Sequence, residues 1–183
     1  PQGLVTGDDN DFTVEITLSA KSAGDYWAWV LGQGVGKWGN HNIGDYVFMG
    51  PKSGQKGYEG KILSGIKVGD ESNDAEIRLP ASSEGMGADY ETVTLVSEDQ
   101  TITVYLDGEK VSQGTHEYSI ESVIPASGAI GYIGKSLYEP DDLMTANVGD
   151  IKFYNEALTE DQVKESMPTD AEKDAMYAAE TGT

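Results

Sequence analysis

Cysteine is absent from the 183 residues. That excludes disulfides, thiolate nucleophiles and cysteine-based zinc clusters, so any zinc would rest on His41, His116 and carboxylates. Basic side chains are scarce too: 12 Lys and Arg stand against 32 Asp and Glu, a formal net charge of −20. Such a surface repels nucleic acid phosphates and anionic lipid head groups, so the expectation is no nucleic acid partner and no membrane surface. No run approaches the roughly twenty apolar residues that cross a bilayer, and no charged-then-apolar leader opens the sequence, so no membrane insertion is expected. No repeat of about twenty to fifty residues is visible. The acidity itself fits solubility in a salty or extracellular setting. It also fits the binding of calcium, a hard cation that takes carboxylate ligands.

What is present is a series of short strands organised around residues 100–113, QTITVYLDGEKVSQ. Ile102, Val104 and Leu106 alternate with Thr101, Thr103 and Tyr105, the period of two of a strand buried on one face. Asp107-Gly108 tolerates positive φ at both central turn positions and predicts a two-residue hairpin. Leu106 then faces Glu109, Tyr105 faces Lys110, and Val104 meets Val111.

Taken in order, residues 12–20, FTVEITLSA, alternate apolar with polar and predict a half-wet strand. YWAWVLG at 26–32 is apolar on both faces, which predicts a central strand with Trp27 and Trp29 in the core or sheet. DYVFMG, KILSGIKVG, AEIRLP and YETVTLVSE follow as short strands between Gly-rich connections, then Ser119–Ile124 and GAIGYIG, and ANVGDIKFYN closes the series. Two capping boxes come next, TEDQ from Thr159 and TDAE from Thr169. The first predicts a short helix with Val163 and Met167 inward, ending before Pro168. The second opens a helical tail or linker, so the division is a sandwich over 1–167 and a tail over 168–183.

The ordered set Tyr105-Leu106-Asp107-Gly108, Ile133-Gly134 and residues 150–158, DIKFYNEAL, resembles the laminin G-like, concanavalin A-like jelly-roll domains of secreted bacterial carbohydrate-active proteins. The resemblance covers roughly residues 11–167. It implies an all-β antiparallel sandwich with a short C-terminal helix, the closing strand beside the first. It further implies a lectin-like accessory module of a larger secreted or cell-surface protein, bound to an oligo- or polysaccharide and to neighbouring domains of the parent chain.

Enzymes share this fold, so catalysis is tested on residues. Retaining glycosidases need two carboxyl groups about 5 Å apart, and no Glu-x-Asp-x-Glu run supplies them. Glu15, Glu76 and Asp150 stand singly and read as solvated acids. His41 and His116 lack a nucleophile elbow, and GQGVGKWG is not followed by a helical pattern that would make it a phosphate loop. The expectation is a non-enzyme. A divergent glycan-cleaving enzyme and a structural or protein-binding adhesin domain are the alternatives.

Sugar recognition needs aromatic faces beside mixed donors and acceptors. Trp38, His41, Asn42, Tyr58, Tyr138 and Asp141, all in polar or Gly-rich loops, are the candidate ligand-binding residues. Asp8, Asp9 and Asp11, with Asp150 brought near by the resemblance, are the candidate calcium ligands that would staple the two chain ends.

Overall fold

The computed structural model describes residues 11–24, 26–33, 44–69, 76–125, 129–138 and 141–182. Among these residues ten strands form two antiparallel five-stranded sheets. Sheet A contains β10 (Ala146–Tyr154), β1 (Phe12–Ala20), β6 (Glu91–Glu98), β7 (Thr101–Leu106) and β8 (Glu109–Thr115), in that order across the sheet. Sheet B runs β5 (Glu76–Arg78), β4 (Leu63–Lys67), β3 (Tyr46–Gly50), β2 (Trp29–Gly32) and β9 (Ile130–Ile133). Each apolar set predicted by the period of two turns inward, and Val14, Ile16, Leu18, Trp29, Val47, Met49, Ile66, Leu95, Ile102 and Val104 fill the space between the sheets.

β1 lies between β10 and β6, so the closing strand pairs with the first, Thr13 opposite Tyr154 and Thr17 opposite Asp150. The hairpin turn forms as expected, with φ of 45° at Asp107 and 78° at Gly108. Leu106 faces Glu109 and Tyr105 faces Lys110, but the register then shifts and Val104 meets Ser112. Val111 is the extra residue of a bulge, half-buried against the core, and the expected Val104–Val111 pair does not form. A second correction concerns Ser119–Ile124. Ile120–Val123 make one helical turn, α1, which places Ile120, Val123 and Ile124 together at i, i+3 and i+4 and buries all three.

Both capping boxes are made. Thr159 opens α2 (Glu160–Ser166) and Thr169 opens α3 (Asp170–Thr181), each accepting from the N3 amide while the N3 side chain accepts from the cap. α2 covers the outer face of sheet A, where Leu158 and Val163 pack on Val96 and Tyr105. The central strands β1, β6 and β7 are consequently buried on both faces, and the face of β1 expected to be wet is dry. Its polar groups are satisfied internally. Thr17 and Thr92 share a 2.9 Å hydrogen bond, and Thr13 Oγ1 donates to the Glu156 carbonyl while accepting from the Leu158 amide. Glu15 is 1% exposed, not solvated as expected. Lys152 Nζ donates to it at 2.8 Å and the Ser166 hydroxyl donates to its other oxygen, so a buried carboxylate clips α2 to the sheet. α3 extends this cover, with Tyr177 edge-on to Tyr90 at 4.9 Å and Lys173 3.3 Å from Asp107.

Candidate functional site

The outer face of sheet B is built from alternate residues of its strands. Cross-strand registers set Ile130, Gly32, Tyr46, Lys67 and Glu76 in one row, with Tyr132, Val30, Phe48, Gly65 and Arg78 in the next. Gly32 is obligatory there, because a Cβ would lie 2.3 Å from the Asp45 carbonyl oxygen. Trp27 stacks on Phe48 at 4.1 Å between centroids and leans on Tyr46 at 5.1 Å, and Tyr138 meets Trp27 edge-on at 5.7 Å. Tyr58 packs beside them, half-buried, and donates to the Leu79 carbonyl at 2.8 Å.

A polar chain crosses this aromatic bed. The Tyr46 hydroxyl hydrogen-bonds the Glu76 carboxylate, whose other oxygen lies 2.5 Å from Arg78 Nε. A carboxylate only accepts, so Tyr46 spends its one hydrogen on Glu76 and the 2.8 Å contact with Tyr138 has Tyr138 donating to Tyr46. Burial, and then the Glu76 charge, push the Tyr46 phenol far above the ordinary tyrosine range; burial raises Tyr138 too. Neither phenol supplies a phenolate near neutral pH. Lys67 stands directly across the ladder from Glu76 yet does not pair with it. Its ammonium lies 5.9 Å over the Tyr46 ring, fully buried, with no hydrogen-bond partner.

Of the six expected ligand residues, Tyr58 and Tyr138 belong to this bed. Tyr138 is 8% exposed and committed to Trp27 and Tyr46, so it does not offer the free wall expected of it. Asp141 is half-buried beside the same segment and accepts from Ser136 Oγ at 2.6 Å. Trp38, His41 and Asn42 lie outside the described residues, as do Asp8 and Asp9. Trp27 and Trp29 are core residues, as expected.

The calcium set needs a correction. Asp150 pairs with Thr17, and the stretch from Asp11 to Thr17 at about 3.3 Å per residue spans about 20 Å. Calcium holds its ligands at about 2.3–2.6 Å, so one ion cannot take both Asp11 and Asp150. Asp11 instead accepts from the Asp99 amide at 2.9 Å. Among the described residues no group of three or more His, Asp or Glu is arranged around a metal position.

Sequence reasoning missed Tyr46, Lys67, Glu76 and Arg78 as a set, and took Glu76 for a solvated acid. The signal was there in part: Tyr46 and Phe48 alternate in DYVFMG, and Glu76 and Arg78 in AEIRLP. Nothing in the sequence says that these two strands flank β4.

Two antiparallel sheets closed on one core, with one outer face roofed by helices and the other decorated with rings, define a jelly-roll sandwich of lectin type. The chain belongs to the concanavalin A-like lectin/glucanases superfamily, its residues 1–164 matching the family model Laminin_G_3. Comparison with curated proteins gives no match. Among solved structures it is similar to domain 4 of AbnA, a GH43 extracellular arabinanase from Geobacillus stearothermophilus in complex with arabinotriose. That likeness has 14% identity and a TM-score of 0.59 over 90% of this chain and 69% of that one. The NanB sialidase of Streptococcus pneumoniae is similar at 22% identity and TM-score 0.59, with 90% of this chain covered but 24% of that chain. The CBM40 of the Ruminococcus gnavus IT-sialidase bound to α2,3-sialyllactose follows at 14% identity and TM-score 0.55, covering 87% and 83%. At these identities the likeness shows the fold.

Proposed function

We propose that this domain is a non-catalytic carbohydrate-binding module serving a larger secreted glycoside hydrolase or cell-surface protein. The outer face of sheet B carries the reading. Buried rings of Trp27, Phe48 and Tyr46 form a rigid floor that leaves half-buried Tyr58 and Tyr132 as the rings with surface to offer, with the hydrogen-bonding groups of Glu76, Arg78 and Asp141 at its margins. Aromatic faces beside mixed donors and acceptors are what sugar C–H surfaces and hydroxyls require. The connection carrying Trp38, His41 and Asn42 leaves β2 at Gly32 and enters β3 at Tyr46, in the same cross-strand row as Lys67 and Glu76. The proposal gives Trp38 the stacking face and His41 and Asn42 the hydroxyl contacts.

Two further observations support it. The similar structures include an arabinanase domain with arabinotriose and a sialidase CBM40 with sialyllactose. The likeness to NanB is confined to 24% of that chain, as for one module within a longer enzyme. The test is retention on a glycan array together with an assay for released reducing sugar. Retention without release is expected, whereas release replaces the reading with the divergent enzyme and no retention leaves an adhesin or spacer domain. Trp38→Ala should cost about 1–3 kcal/mol of sugar affinity with little change in melting.

A further inference from the structure

Lys67 carries a positive charge that the fold leaves uncompensated. Its side chain is 0% exposed, its Nζ has no hydrogen-bond partner, and no carboxylate of the described residues lies within ion-pair distance. A buried ion costs several kcal/mol unless it is paired and hydrogen-bonded, and a ring quadrupole 5.9 Å away returns only part of that. The nearest acid by register, Glu76, is spoken for on both oxygens: Tyr46 donates to one and Arg78 to the other. The contrast inside the molecule is direct, since buried Glu15 on sheet A has both Lys152 and Ser166. Lys67 alone among the charged side chains of the described residues has its buried head group unsatisfied.

A lysine in this position has a usual escape, which is to extend its four-carbon stem and carry the ammonium to water. Lys67 does not: its strand is paired on both sides, and its Nζ lies buried 5.9 Å over the Tyr46 ring. Beside it the edge of sheet B is only three residues long, and the Arg78 side chain, 37% exposed, forms the rim. By register Arg78 and Lys67 are diagonal neighbours on the outer face of sheet B, so an anionic group seated at Arg78 lies within a side chain's length of a second, buried cation. Arg78 offers a planar fork and Lys67 a point charge, a combination suited to a carboxylate or sulfate. A neutral sugar offers neither ammonium nor guanidinium a counter-charge.

We propose that the outer face of sheet B selects acidic saccharides, with Lys67 as the specificity-determining cation and Arg78 as its rim partner. The inference rests on the carbohydrate-binding reading and narrows it to one ligand class. It is notable on a chain of net charge −20, because a field that repels anions at long range must be overcome by local pairing.

The test uses the full chain and calorimetric titration with pairs that differ in one anion: α2,3-sialyllactose against lactose, trigalacturonate against its methyl ester, and a sulfated heparin tetrasaccharide against its desulfated twin. At least one acidic member is expected to bind about tenfold or more tighter than its neutral twin. The preference should shrink as salt rises from about 0.05 to 0.5 M. The pair that responds identifies carboxylate or sulfate as the source. Lys67→Met should bring the twins to within about twofold while leaving melting equal or higher, since an apolar side chain of similar volume no longer buries a lone charge. Equal binding of every pair by the natural chain overturns the inference and leaves the carbohydrate-binding reading standing; that comparison needs no variant to fold. Retained preference in Lys67→Met also overturns it. Failure of every probe to bind removes both.

Discussion

The two outer faces of the sandwich are both buried at their central strands, and by opposite means. Sheet A is roofed by its own C-terminal helices, and beneath them Thr13, Thr17, Thr92 and Glu15 all find partners from the sheet or the roof. Sheet B packs aromatic rings on its outer side and leaves Lys67 without a partner. A face whose buried charges are all satisfied from within has no chemical need of a ligand. One with a desolvated, unanswered cation does. The difference separates a structural face from a binding face more sharply than exposure does.

Substitutions on each face should therefore divide stability from binding. The largest effect is expected from Phe48→Ala, which empties the floor of sheet B under Trp27. It should cost about 3–5 kcal/mol, read by chemical denaturation, and abolish glycan retention as well. Glu15→Ala on sheet A should cost about 2–3 kcal/mol by releasing Lys152 and Ser166, lowering Tm by about 8 °C while affinity per folded molecule is unchanged. If Glu15→Ala weakens glycan binding as much as it weakens the fold, the division of labour is wrong.

Truncation after Met167 removes α3 and with it the Tyr90–Tyr177 ring pair and the exposed ion pairs Lys21–Glu180 and Lys173–Asp107. A loss of about 1–2 kcal/mol is expected, with binding intact. The smallest effect is set by pH. Burial holds the His116 imidazole below its ordinary value of 6.5. The unfolded chain then binds the proton more readily, so His116 subtracts stability as pH falls below 6.5 and contributes nothing above it. His116→Asn should flatten that part of the stability profile, measured by denaturant titration across pH 5.5–7.5, and a profile with unchanged slope would remove His116 as its source.

How far the sequence spoke follows the same line between the faces. Alternation identified the strands because the inner core imposes a period of two, and the Asp107-Gly108 turn was explicit in residue type. Thr159 and Thr169 announced both helices. Alternation cannot tell whether the polar side of a strand meets water or a helix, so Glu15 read as solvated. It also cannot pair strands that are distant in sequence. Lys67 and Glu76 stand in neighbouring strands separated by residues 68–75, and only the registers of β3, β4 and β5 show Tyr46, Lys67, Glu76 and Arg78 to be one constellation. The shared Asp11–Asp150 ligation failed for a related reason: adjacency of two strands does not bring every residue of one near every residue of the other.

The position of β1 between β6 and β10 bears on how the chain is made. Thr13 is bonded to Glu156 across 143 residues of sequence. As the polypeptide leaves the ribosome, the first strand emerges with neither neighbour yet synthesised. Both its edges stay unpaired until β6 appears, and one until the last strand follows. The hairpin of β7 and β8, by contrast, can close as soon as residue 115 is out. β1 is thus inserted late into a sheet that the later strands have begun, and its apolar alternation is for most of synthesis the segment most in need of shielding from other nascent chains.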